Sequence, residues 1–221
     1  MRLMGIDVGT TSVKSAVYDE KLNLIQGSAV AYELKSQGKT VELEAEKYWE
    51  LVSGEIKKLD IKPDALSIDT QCETIILADE KGNPLRNAIV WLDCRAEKEA
   101  ELIEKQFGRK KVYEVCGQPE ITAAWPACKL LWIKNNEPEI WKKTKKIFLL
   151  EDYLLFKLTG EFVTEKTLQS SSLYFDINCG GWWNEMLEFI GVDKKMLPEI
   201  KNSGEYIGDY EGIKVCTGAM D

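Results

Sequence analysis

Apolar residues open the chain at Leu3, Met4 and Ile6, give way to a Gly-Thr-Thr-Ser turn, and resume at Ala16, Val17 and Tyr18. That pattern predicts a β-hairpin over residues 1–18. Strand-like runs at 22–25 and 29–34, separated by Gly27, extend it into an antiparallel meander. The period then changes: Tyr48, Leu51, Val52, Glu55, Ile56 and Leu59 recur at helical spacing, with Lys57 and Lys58 well placed in the last turn. Pro63 precedes a short strand at 65–69, which the crossover rule sets parallel to the first. Strands follow at 75–79 and 88–91, on either side of the turn Glu80-Lys81-Gly82-Asn83-Pro84, and a helix is expected from Asp93 past Ile103. Further helices are expected from Pro126 to Asn135 and from Pro138, the latter with proline in its first turn. A strand at 147–150 leads to a helix stopped at Gly160, Trp183 opens a short helix, and strands at 204–210 and 213–216 close the chain.

Composition narrows the classes this pattern allows. The 221 residues, 44% hydrophobic and 30% charged, suffice for one large domain or two small ones with a real core. With 29 basic and 37 acidic residues the net charge is −8, so neither nucleic acid nor an anionic membrane is an expected partner. A negatively charged substrate would need a local positive site. No apolar run reaches the length of a membrane span, and Met1-Arg2 before a glycine-punctuated strand does not read as a signal peptide, so the cytoplasm is expected. The six cysteines never form C-x-x-C, which favours free thiols in a reducing compartment over a zinc ribbon or redox motif. There is no histidine, which removes histidine-based hydrolases, H-E-x-x-H metalloproteases and every histidine general base. Acid–base chemistry must fall to Asp, Glu, Lys, Tyr or Cys.

Three places carry candidate chemistry. In the hairpin turn, Gly9 lets the backbone approach a ligand, Thr10, Thr11 and Ser12 offer hydroxyl donors, and Lys14 adds positive charge, together suiting a phosphate. Asp7 cannot help an anion directly, so its expected task is to hold Mg²⁺ through water. The plainer alternative is an ordinary tight hairpin; the turn is neither a Walker A nor a G-x-G-x-x-G loop, because it leads into a second strand and lacks their glycine spacing. The second place is Gln71-Cys72-Glu73-Thr74 with Trp91-Leu92-Asp93-Cys94-Arg95, at strand ends where α/β proteins usually contact ligands. The plainer reading there makes Glu73 a surface charge, Trp91 core and Asp93 a helix N-cap. The third is the terminal Gly218-Ala219-Met220-Asp221, whose plainer reading is a stray acidic end.

The hairpin resembles the first phosphate-binding element of the actin, heat-shock chaperone and sugar kinase superfamily, whose members open with Asp-x-Gly-Thr-(Thr/Ser)-x-x-Lys. The β-β-β-α-β order is similar to its core. The resemblance implies an α/β, ribonuclease H-like (actin-like ATPase) domain, a mixed sheet of order β-β-β-α-β-α-β-α with helical insertions. Gln71 to Thr74 resembles the Gln-Arg-Glu-Thr of glycerol kinases, and Trp91 to Arg95 resembles the Trp-x-Asp-x-Arg of FGGY carbohydrate kinases. Lys129-Leu130-Leu131-Trp132, Asp152-Tyr153-Leu154, Leu158-Thr159-Gly160-Glu161, Ser170-Ser171-Ser172 and Tyr174-Phe175-Asp176 are similar to that family in order and spacing, as are Trp183 and Leu197-Pro198, so the resemblance covers essentially the whole chain.

By that resemblance the expected activity is ATP-dependent phosphorylation of a sugar or polyol hydroxyl, with ATP and Mg²⁺ as cofactors. Asp221, in the family's Gly-x-x-Asp, is implied as catalytic base. Gly9, Thr10, Thr11, Ser12 and Lys14 would meet ATP phosphate, Asp7 would position Mg²⁺, and Gln71, Cys72, Glu73, Trp91, Asp93 and Arg95 would form or brace the acceptor pocket. In the family a nucleotide-binding C-terminal domain follows the catalytic Asp. Residues 1–221 are therefore expected to be the N-terminal, sugar-binding half, a fragment or a split gene product, poorly active alone and able to fold. A homodimer is one arrangement left open. Cys72 stands where glycerol kinases have Arg and Ala124 near where they have Tyr, which favours a longer polyol, a ketopentose or another open-chain sugar over glycerol, although xylulose kinases differ at Glu73. Two other readings share the hairpin: an iron–sulfur ATPase activator of the same superfamily, and a non-catalytic sugar-binding or regulatory half-domain.

Overall fold

The computed structural model describes residues 1–220. The expected hairpin is present as β1 (Leu3–Val8) and β2 (Ser12–Tyr18), in register from Leu3 opposite Tyr18 to Val8 opposite Val13. β3 (Leu24–Ala31) follows as a single strand. Gly27 does not divide it as expected: it pairs with Ala16 inside the β2–β3 ladder, because a residue without a side chain still offers its N–H and C=O. Leu22, expected in a strand, sits in the connecting turn at φ 61, where the Asp19 carboxylate accepts the N–H groups of Lys21 and Asn23.

A small hairpin that the periodicity did not reveal, β4 (Lys35–Gln37) and β5 (Thr40–Leu43), precedes α1 (Ala45–Lys57). β6 (Ala65–Thr70) lies parallel to β1, as the crossover argument requires. After β7 (Ile75–Ala78) and β8 (Ala88–Ile89), α2 (Glu97–Cys116) begins four residues later than expected, since Asp93 does not cap it, and kinks at Gly108. α3 (Pro126–Asn136) and α4 (Pro138–Lys143) both open on proline. β9 (Lys146–Leu149) runs directly into α5 (Leu150–Thr159), which ends at the left-handed Gly160. β10 (Val163–Glu165), α6 (Lys166–Gln169), β11 (Phe175–Asp176), β12 (Gly181–Trp182) and α7 (Asn184–Ile190) follow. One 3₁₀ turn, Lys194–Met196, then leads to β13 (Glu199–Lys201), β14 (Tyr206–Tyr210) and β15 (Ile213–Cys216).

The principal sheet has the order β14-β15-β6-β1-β2-β3, parallel across β15, β6 and β1 and antiparallel at both flanks. A second, antiparallel sheet has the order β4-β5-β8-β7-β9 and lies between two cores. Ile76, Ala78 and Phe148 join a core with Val8, Tyr48 and Tyr153, whereas Ile75, Leu77 and Ile147 join one with Ile103, Leu130 and Met186. The strand period of two sends alternate residues to opposite cores. On its other face the principal sheet lines a cavity of about 970 Å³ that includes Asp7, Lys14, Asp69 and Gly218. Among the described residues no helix is long and apolar enough to cross a membrane. All six cysteines are free thiols.

Candidate active site

The turn between β1 and β2 is closed by Gly9 N–H donating to Ser12 C=O at 3.0 Å. Tyr32, just past β3, supports it from below: its hydroxyl donates to Gly9 C=O and its N–H to Thr11 C=O at 3.0 Å. Burial pushes the Tyr32 phenol up to about 12, so it remains a donor at any physiological pH. Lys14 Nζ lies 3.0 Å from Asp7 Oδ2, both groups being largely exposed. An exposed pair of this kind contributes only about 0–1 kcal/mol, so an incoming phosphate could take the ammonium at small cost.

Gln71 continues the parallel ladder by donating its N–H to Val8 C=O at 2.9 Å, and its side-chain amide donates to the Tyr48 hydroxyl at 2.9 Å. It therefore braces the hairpin from inside the fold. Cys72 is half-buried, and Glu73 takes φ 56 in the connection to β7. Burial raises the Glu73 carboxyl above the usual range, opposed by a hydrogen bond from Ser171 and the charge of Lys129. Glu73 is thus not the surface charge of the plainer reading.

Trp91 is 36% exposed rather than core, and its indole Nε1–H donates to Thr10 Oγ1 at 3.1 Å. That bond joins the Trp91-to-Arg95 segment to the hairpin turn across 81 residues of chain. Asp93 is fully buried and caps no helix. Its Oδ2 accepts Val41 N–H at 2.6 Å and Arg95 Nη2–H at 2.7 Å, and its Oδ1 accepts Arg95 N–H at 3.0 Å and Nε–H at 2.8 Å. With four donors on one carboxylate, Asp93 has no free lone pair for a sugar hydroxyl. Arg95 also reaches Glu42 Oε1 at 2.6 Å and lies 5.0 Å from the Trp132 ring centre. Asp93 and Arg95 are therefore committed to each other, to Val41 and to Glu42, whereas Glu73 and Trp91 remain partly exposed.

The loop after β15 is held from two sides. Gly218 N–H donates to Glu151 Oε1 at 3.0 Å, and Met220 N–H donates to Thr167 Oγ1 at 2.8 Å. A Cβ on Gly218 would stand 1.9 Å from the Ile68 carbonyl oxygen, so only glycine allows this approach. The expected catalytic base, Asp221, lies outside the described residues. The cavity on the open sheet face is lined by this loop and by Asp7 and Lys14, but not by Glu73 or by Trp91, whose indole meets the hairpin at Thr10 instead. Among the described residues no three Asp, Glu, Cys or His side chains converge as a direct metal cage.

Several residues around the site were given no role there from sequence: Tyr32, Glu42, Asp69, Lys129 and Glu151. Asp69 had a usable signal, because like Asp7 it ends an apolar strand, and the two are register neighbours across β1 and β6. Lys129 had one too, standing between Cys128 and Leu130 in an apolar helical run. Glu42 and Tyr32 had none, because their partners are distant in the chain.

A glycine-containing hairpin turn, a crossover helix into a parallel strand, and a glycine loop returning against that strand together define an actin-like ATPase domain, the fold of the solved structures it resembles. Residues 2–220 match the FGGY family of carbohydrate kinases, N-terminal domain, and the chain belongs to that family. It is 29% identical over 214 residues to a xylulose kinase of Lactococcus lactis, covering 93% of this chain and 42% of the relative. It is 30% identical over 220 residues to a glycerol kinase of Thermococcus onnurineus, covering 93% and 44%. The crystal structure of gluconate kinase from Lactobacillus acidophilus superposes with a TM-score of 0.93 at 25% identity, over 100% of this chain and 48% of that one. The chain spans less than half the length of these relatives.

Proposed function

We propose that this chain is the acceptor-binding half of a kinase that transfers the γ-phosphoryl group of ATP to a hydroxyl of a sugar or polyol. The observation that carries the reading is the Trp91 Nε1–Thr10 Oγ1 bond, which joins the acceptor motif to the phosphate turn in one site. Such transfer depends on in-line positioning and on donors around the phosphoryl group more than on covalent chemistry. Gly9, Thr10, Thr11, Ser12 and Lys14 supply the donors. Glu73 and Trp91 hold the acceptor by a hydrogen bond and by packing on a C–H face, while Gln71, Asp93 and Arg95 keep them in place.

The Asp7 carboxylate, 44% exposed on the cavity, suits a hard cation that keeps its waters, as Mg²⁺ does. When bound, Mg²⁺ would neutralise charge on the transferring phosphate. Asp221 takes the acceptor proton in this scheme. A second domain contributes the adenosine contacts and excludes water on closing, and the reaction runs in the cytoplasm. Cys72 and Ala124, where glycerol kinases carry larger polar side chains, leave room for a longer open-chain acceptor, in keeping with the xylulose and gluconate kinases among the relatives.

The test is sugar-dependent ADP release, screened over polyols, ketoses and aldonates, on the protein read to its stop codon with residues 1–221 alongside. One open-chain acceptor should stimulate release. Asp221→Asn should keep acceptor binding and lower turnover by a factor of about 10² or more. Release stimulated by no acceptor would end the kinase reading, and wild-type turnover in Asp221→Asn would remove that residue from the chemistry.

A further inference from the structure

Lys129 is a fully buried lysine on α3, flanked by the buried apolar residues Ala127, Cys128, Leu130 and Leu131. A methionine would fill that space without the cost of desolvating an amine. What the amine adds is two hydrogen bonds: Nζ donates to Glu73 C=O at 2.9 Å and to Val90 C=O at 3.0 Å. Those carbonyls belong to the two segments that carry the acceptor residues, the β6–β7 connection with Glu73 and the β8 exit immediately before Trp91. Glu73 sits at φ 56, a left-handed conformation that a residue with a side chain adopts only when its surroundings enforce it. A second, weaker link joins the same segments, with Trp91 N–H donating to Thr74 Oγ1 at 3.3 Å.

We propose that Lys129 is a positioning residue for the acceptor pocket, a clamp that ties the two strand ends together and holds Glu73 in its left-handed turn beside Trp91. Burial brings the amine down to about 7, against the opposing pull of Asp93, Glu73, Cys128 and Cys94. A neutral amine keeps two N–H donors, the number the clamp uses, so either protonation state can make both bonds.

The pocket role rests on the acceptor reading above; the clamp itself does not, so two measurements separate them. The first is a double-mutant cycle in thermal stability of Lys129→Met and Glu73→Gly. Glycine takes φ 56 without strain, so the melting-temperature loss caused by Lys129→Met should fall by at least about half in the Glu73→Gly background. Simple core filling by Lys129 would give additive losses, and additivity overturns the clamp. The second is calorimetric titration with the acceptor found in the ADP-release screen. Lys129→Met should bind it about tenfold more weakly, with Lys129→Gln, which keeps a donor, recovering part of the loss. Equal affinity in wild type and Lys129→Met overturns the pocket role. Absence of acceptor binding by the wild type would indict the acceptor reading, with the stability cycle still deciding the clamp. If Lys129→Met does not fold, Lys129→Gln takes its place in both measurements under the same criteria.

Discussion

Asp152 and Glu151 are buried side by side at the start of α5. Asp152 Oδ2 accepts Leu149 N–H at 2.9 Å and the Gln169 amide at 3.3 Å, and burial still pushes its carboxyl up to about 7, against hydrogen bonds from Thr164 and Leu149 and with the help of Glu165. Burial, and then Asp152 itself, push Glu151 well above the carboxylate range. Above about pH 4 the unfolded chain releases protons that these buried groups retain, so the folded state binds more protons and stability falls as pH rises toward about 7. The melting temperature should therefore be lower at pH 7 than at pH 5, and Asp152→Asn should flatten that slope; an unchanged slope would show that Asp152 is ionised in the fold. Residue identity told where the chemistry lies better than what each residue does there. Trp91, Asp93 and Arg95 were found by their place at a strand end and their resemblance to a family motif, but that Asp93 is saturated by Val41 and Arg95 is a fact of packing, because Val41 lies 52 residues upstream.

Elements long enough to show their period were legible. The first hairpin, α1, β6 and α3 lie within a few residues of their expected bounds, the first three because each buries one face of its own sequence against the core, and α3, buried all round from Pro126 to Leu131, because it is an apolar run opened by proline. β4 and β5, of three and four residues, are too short for alternation to register, and β5 exists because β8 pairs with it. α2 carries a feature that periodicity could not announce, Gly108 at φ 73 and ψ 149 inside a 20-residue helix. A Cβ there would meet nothing within 4 Å, so Gly108→Ala tests backbone strain alone. It should cost about 1–3 kcal/mol, read as a lower urea midpoint with an unchanged m-value. No loss would mean that the kink straightens.

Across the whole molecule the two cores share the second sheet, with β7 sending Ile75 and Leu77 to one and Ile76 and Ala78 to the other. Neither core can melt without exposing a face of that sheet, so unfolding should be one cooperative transition. Trp49 packs on one core and Trp125, Trp132, Trp141, Trp182 and Trp183 belong to the other. A Trp49-only variant and wild type should then give fluorescence transitions that coincide with far-UV circular dichroism; separate midpoints would show two independent units. The sequence by itself determined the hairpin and the strand-end motifs, which are local to the chain, the parallel return of β6, which the handedness of crossover connections dictates, and the family, which the order of its motifs resembles. Only the tertiary structure decided that Trp91 reaches Thr10, that Lys129 ties Glu73 to Val90, and that Asp93 is spent on Val41 and Arg95. Each of those joins residues dozens of positions apart, and burial, which converts such a meeting into an interaction worth having, is a property of the packed molecule and not of the local sequence.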